Sequence, residues 1–154
     1  SSDLDRWNIV SGEAVLEGTT RYFRREIGPE LKERMERIVK ETAKAYGASA
    51  ELEYQFLILP TINDDACTDI ARQAVTEVLG ADAIHESDLI MGGEDFSFYQ
   101  EDKPGCFLFV GTYNPACNAT YPNHSNYFTS DESVLAGGSR VYAQMAIDWL
   151  KQNS

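Results

Sequence analysis

Ala50-Glu51-Leu52-Glu53-Tyr54-Gln55-Phe56-Leu57-Ile58-Leu59 alternates at first, then becomes continuously apolar, and ends at Pro60. A period of two passing into a short apolar run closed by proline reads as a β-strand. Upstream, Gly28-Pro29 opens an amphipathic helix with Leu31, Met35, Ile38, Val39, Thr42 and Tyr46 on one face, and Gly47 stops it. Its other face is charged from Glu30 to Lys44 and reads as solvated, with a few i,i+4 pairs. Trp7 to Phe23 is rich in β-branched residues and alternates imperfectly, which predicts another strand with a turn or bulge at Ser11-Gly12-Glu13. Residues 1–60 therefore read strand, helix, strand. Two strands and one helix are marginal alone, so further strands are expected from a partner, another part of the chain or residues removed from it.

The pattern changes at Thr61-Ile62-Asn63-Asp64-Asp65, the expected boundary between structural units. Asn63 then serves as a helix N-cap, and Ala66, Ile70, Ala74 and Val78 form the buried stripe of a helix ending at Gly80. Residues 81–105 are loop-rich, and Phe107 to Val110 reads as a buried strand. A last helix runs from about Asp131 to Gln152, with Thr129 and Glu132 as a capping box and Val134, Leu135, Val141, Met145 and Trp149 turned inward. Gly137-Gly138 inside it costs roughly 1 kcal/mol per glycine against alanine, which close packing against another backbone would offset. The expected fold class is α/β (α+β).

At 154 residues and 43% hydrophobic content the chain suits one ordinary domain or two small parts with a core, expected to be soluble. A formal charge of −12 opposes binding to nucleic-acid phosphates and to anionic membrane surfaces. No apolar run approaches the roughly 20 residues that span a bilayer, and Ser-Ser-Asp-Leu-Asp is no signal pattern. The missing initiator methionine suggests a processed product or a fragment. Cys67, Cys106 and Cys117 match no zinc motif and no complete disulfide framework, so reduced thiols in a cytoplasm are the simplest expectation.

Chemistry concentrates in two stretches. Tyr121-Pro122-Asn123-His124-Ser125-Asn126-Tyr127-Phe128 places one of the two histidines on a turn ahead of the last helix. A neutral imidazole is a common zinc ligand, but no neighbour supplies the three or four ligands a metal needs, so part of a site and an ordinary loop histidine both stand as readings. Met91-Gly92-Gly93-Glu94-Asp95-Phe96-Ser97 offers paired glycines that let a ligand approach or a turn form, followed by two carboxylates that could orient a substrate. His85 matches no motif and reads as a surface residue. Cys67 and Cys106 read as packing residues, and Cys117 is the thiol worth testing for reactivity. No nucleophile elbow supports a serine or cysteine hydrolase.

Four features in order resemble the aminoacylase and carboxypeptidase family of metal-dependent hydrolases, particularly the hippurate hydrolase and auxin-conjugate hydrolase branch. Trp7 through Arg21 is similar to the family segment Asn-Val-Ile-Pro-Asp-x-x-x-Leu-x-Gly-Thr-x-Arg, with Ser11 and Gly12 in place of the proline and aspartate. The helix after Gly28 follows in the right place, then Gly92-Gly93-Glu94-Asp95-Phe96-Ser97, then Pro122-x-His124-x-x-x-Phe128. The resemblance implies that residues 1–60 are the second half of a βαββαβ lid or dimerisation domain and 61–154 the C-terminal portion of an α/β catalytic domain. It implies two divalent metal ions (zinc, manganese, nickel or cobalt) in the complete enzyme, with His124 as the one ligand this chain supplies. It assigns substrate contacts to Asn8, Arg21, Gly93 and Glu94, and no catalytic base here, since the water-activating glutamate belongs to an absent N-terminal part. The implied partners are an amide substrate such as an N-acyl amino acid, the missing N-terminal portion, and a second copy paired through the lid. A non-catalytic pairing module built on the lid's sheet edge is the alternative reading.

Overall fold

The computed structural model describes residues 11–153. Four α-helices appear in order: α1, Ile27–Ala45; α2, Asp65–Leu79; a single-turn α3, Phe96–Tyr99; and α4, Leu135–Gln152. Short 3₁₀ turns at Ala81–Ala83, Pro115–Cys117 and Glu132–Val134 join them. The chain divides into two compact units, Ser1–Leu52 and Glu53–Ser154.

In the first unit α1 forms as its periodicity predicts. Gly47 takes a left-handed φ of +70°, and Ala48 N–H reaches back to the Ala43 carbonyl at 2.9 Å, which ends the helix. The charged face carries the expected i,i+4 pairs Glu30–Arg34 and Glu36–Lys40. Both are exposed, so they add little stability. The apolar face is only half covered: Leu31, Met35 and Val39 are partly buried, whereas Ile38 and Tyr46 are exposed.

Among the described residues the expected strands are not formed, and Trp7 to Val10 of the first lie outside them. Among the described residues no β-ladder exists, and the one strand-like pairing is the isolated bridge between Asn114 and Ala119. The α/β class and the βαββαβ half-lid are therefore replaced by a helical framework with long irregular connections. The stretch Ala50 to Leu59, the described part of the N-terminal stretch and Phe107 to Val110 all run without ladder bonds. The physical reason is that a strand is a relation between neighbours: β-branched and aromatic residues favour a pleated surface, but the pattern cannot supply the chain whose N–H and C=O groups complete it. Leu57 and Phe109 stand 71% and 70% exposed, far from the buried setting their apolar runs imply.

The core of the second unit lies where α2 meets α4. Ala71 and Ala74 on α2 and Val141 on α4 are buried, and Ala74 is fully enclosed. Small residues let the helices approach closely. A Cβ on Gly137 would meet Leu79 Cδ2 at 3.2 Å, and one on Gly138 would meet Val110 Cγ2 at 3.3 Å. The glycine pair thus accommodates side chains from α2 and from the 107–110 segment rather than another backbone. Gln144 on α4 reinforces the contact, its amide donating to Glu77 at 3.1 Å and to Asp148 at 2.9 Å.

The capping residue of α2 is Asp64, whose Oδ1 accepts the Cys67 N–H at 2.9 Å; Asn63, one position earlier, has a different task. Its amide pairs with the Phe107 backbone in both directions, accepting the N–H at 2.8 Å and donating to the carbonyl at 3.0 Å. Gln100 does the same at Ile62, accepting its N–H at 3.1 Å and donating to its carbonyl at 2.8 Å. These side-chain amides reproduce the paired bonds of a ladder rung and join residues 62–64 to 105–107.

Replacing Asn63 by alanine removes both bonds to Phe107 and should lower stability by about 1–2 kcal/mol, read as a shift of the urea midpoint at constant slope. Gly137→Val should destabilise by about 1–3 kcal/mol despite valine's better helix propensity, because its branches enter the space of Leu79. An unchanged midpoint for either variant would contradict the packing described.

Candidate metal centre

His124 stands on the connection between residues 110 and 131. The Pro122 carbonyl accepts the Ser125 N–H at 3.2 Å, making Asn123 and His124 the central pair of a tight turn. His124 takes φ +67°, the left-handed conformation that such a turn usually gives to glycine or asparagine. An L-residue there costs of order 1 kcal/mol or more. The ring of Tyr121 packs on that of Tyr127 with centroids 5.4 Å apart, closing the turn from outside. Ser125 Oγ accepts the Tyr127 N–H at 3.2 Å, and the Ser125 carbonyl accepts from Phe128. His124 itself is exposed, and among the described residues its imidazole makes no hydrogen bond or ion pair.

The connection is anchored at its neck. The Asp131 N–H donates to the Thr112 carbonyl at 3.2 Å, and the Asn114 amide donates to Asp131 Oδ2 at 2.7 Å. Asp131 Oδ1 also accepts the Ser133 N–H at 2.9 Å, so it, rather than the expected Thr129–Glu132 box, caps the turn leading into α4. Bonds from Asn114, then from Ser133, hold the Asp131 carboxyl below its usual range. Asn114 is doubly engaged, because its Oδ1 caps Ala116 N–H at 2.9 Å and its backbone bridges Ala119. Neither residue stood out in the sequence. The signals were present in the Asn-Pro pair at 114–115 and in an aspartate one residue before the turn into α4.

The other expected site residues belong to different parts of the chain. Asn8 lies outside the described residues. Arg21 is an exposed residue of the first unit. Gly93 and Glu94 precede α3 in the second, and paired glycine flexibility is not what shapes them, since the left-handed glycines among the described residues are Gly47 and Gly80. Glu94 is half-buried; its carbonyl accepts the Ser97 hydroxyl at 2.9 Å and its carboxylate faces the Phe96 N–H at 3.5 Å, so it starts the short helix. His85 is exposed. Burial pushes the Cys67 thiol up, with a further contribution from Asp64, which disfavours the nucleophilic thiolate. Cys117 is exposed.

Among the described residues no three histidine, cysteine, aspartate or glutamate side chains converge on a point that could hold a metal. His124 thus fits one ligand position of a metal: a free imidazole on a constrained backbone. The rest of the coordination sphere is not supplied by the residues around it.

Comparisons with known proteins address the family. The model of peptidase family M20/M25/M40 matches residues 7–148. N-acetylcysteine deacetylase of Bacillus subtilis is 36% identical over 92% of this chain, and thermostable carboxypeptidase 2 of Saccharolobus solfataricus is 33% identical over 91%. IAA-amino acid hydrolase ILR1-like 4 of Arabidopsis thaliana is 32% identical over 94%. The chain spans 35% of the length of the first two of these relatives and 34% of the third. A crystal structure of the YXEP protein of Bacillus subtilis, described as a dinuclear metal binding peptidase, superposes with a TM-score of 0.78 at 36% identity over 95% of this chain and 39% of that one. With the family pattern running through nearly all of its length, this chain belongs to peptidase family M20/M25/M40.

Proposed function

We propose that the chain is the C-terminal portion of a metal-dependent hydrolase that cleaves N-acyl amino acids or related amides. The observation that carries this reading is His124: an exposed imidazole, unpaired among the described residues, held on left-handed backbone at a constrained turn, in a chain that matches the peptidase family over residues 7–148. Names of the relatives, a deacetylase of N-acetylcysteine and hydrolases of amino-acid conjugates, support an amide whose leaving part is an amino acid.

Within that reading each residue has a limited task. Bound divalent ions, two by analogy with the dinuclear relative, would acidify a water and polarise the amide carbonyl. His124 would hold one fixed ligand position. Arg21 would grip the amino-acid carboxylate through a bidentate pair of hydrogen bonds, which a planar guanidinium makes and an ammonium cannot. Asn8 would reach the substrate beside it, and Gly93 with Glu94 would form part of the rim. The water-activating glutamate and the remaining ligands would come from outside these 154 residues. Three free cysteines support a reducing compartment such as the cytoplasm. No helix among the described residues is long and apolar enough to cross a membrane. The alternative of a pairing module is less favoured, because the sheet edge it required is not formed among the described residues.

The reading is tested by assaying the whole hydrolase on N-acetyl amino acids with zinc, manganese, nickel or cobalt supplied. Turnover that stops on chelation is expected, and turnover that persists without metal, or none with any of the four, would overturn it. The 154 residues alone should be inactive.

His124→Ala in the whole hydrolase should lower metal content and activity together, activity by more than the roughly tenfold lost when a group that merely orients a ligand is removed. Elemental analysis showing full metal occupancy would contradict the ligand role. Arg21→Lys should reduce kcat/KM by about tenfold on substrates with a free carboxylate and leave amide-capped analogues nearly unaffected. Equal losses on both substrates would remove Arg21 from carboxylate recognition.

A further inference from the structure

Among the described residues the His124 ring has no partner of its own, so what is set, through the backbone, is the place of its Cα–Cβ bond. The local turn fixes that bond relative to residues 121–128. What fixes that turn relative to α4 is the neck: among the described residues, two hydrogen bonds join its ends, Asp131 N–H to Thr112 O and Asn114 Nδ2 to Asp131 Oδ2. The second is a side-chain clasp between groups that also cap both flanking turns, at Ala116 and at Ser133. A metal ligand tolerates errors of only about 0.5 Å before affinity falls.

We propose that the Asn114–Asp131 clasp positions His124 for metal binding; the inference rests on the ligand reading of His124. Neither residue would itself be a ligand. Both act through the chain they close.

The geometry supplies its own control. Exchanging the two residues preserves every bond: an Asp at 114 accepts from Ala116 N–H with one oxygen and from the amide at 131 with the other, while an Asn at 131 still accepts from Ser133 N–H. Either single change breaks the set. Asn114→Asp faces two carboxylates across the 2.7 Å gap. Asp131→Asn leaves one oxygen to serve two donors that approach from different sides.

The test is titration of the metal-free whole hydrolase with Co²⁺, read by its d–d absorption, for Asn114→Asp, Asp131→Asn, the double exchange and His124→Ala. Each single clasp variant should bind Co²⁺ about tenfold more weakly with an altered spectrum, the range seen when a group that orients a ligand is lost. The double exchange should recover the affinity and the spectrum. Should Asn114→Asp fail to fold, Asp131→Asn against the double exchange makes the same comparison. Single variants that bind Co²⁺ like the parent with only a lowered denaturation midpoint, or a double exchange that recovers nothing, would overturn the clasp while His124→Ala still loses metal. If His124→Ala binds Co²⁺ unchanged, the ligand reading fails and the clasp inference with it.

Discussion

Backbone N–H and C=O groups outside helices need partners where water does not reach them, and at two places in the second unit side-chain amides and a carboxylate hold the loops together. Asn63 and Gln100 pair with the backbone of Phe107 and Ile62, and Asn114 and Asp131 close the connection that carries His124. Asn63, Gln100 and Asn114 each use the donor and the acceptor of one amide, which imitates a peptide group, while Asp131 accepts on both oxygens. Without them the segments between α2 and α4 would be held mainly by their apolar residues, many of which are exposed. The helices supply a scaffold, and the polar side chains determine where the loops stand on it.

That scaffold rests on close helix approach. Ala71, Ala74 and the Gly137-Gly138 pair leave room for Leu79 and Val110, so α4 begins at a fixed place beside α2. Because α4 starts directly after Asp131 and its capped turn, helix packing and loop closure are mechanically continuous. Asp148 adds a polar element to the same helix: it is 4% exposed, takes the Gln144 amide on one oxygen, which also lies 3.6 Å from Lys151 Nζ, and has a second buried oxygen without a hydrogen-bond partner. A half-satisfied buried carboxylate opposes stability, which places the net adhesion of α2 to α4 on the small apolar residues.

Helices were legible in the sequence because their signals are local. The Gly47 stop, the Gly80 stop and the periodicity of α1 and α4 depend on residues within a turn or two of each other. Capping was legible only to within a residue, since Asn63 and Asp64 are both good caps and the tie is broken by Phe107, far along the chain. Strands at 50–59 and 107–110 were misread because a pattern reports preference for a pleated surface and not the presence of a neighbour. The turn at His124 was legible through Pro122 and Asn123, which precede it. Asn114 and Asp131 were not, because their bond spans the whole connection and neither sits in a recognisable motif.

Under the proposed ligand role of His124, the left-handed backbone at position 124 sets stability against chemistry. Glycine would relieve the strain at that turn, so a search guided by folding energy alone would select it there and discard the imidazole. Asparagine, the other residue at ease in that conformation, would keep a polar side chain but not a nitrogen able to bind a metal firmly. Thermal robustness in this region is therefore better sought at the neck and along α2, where substitutions leave the ring in place.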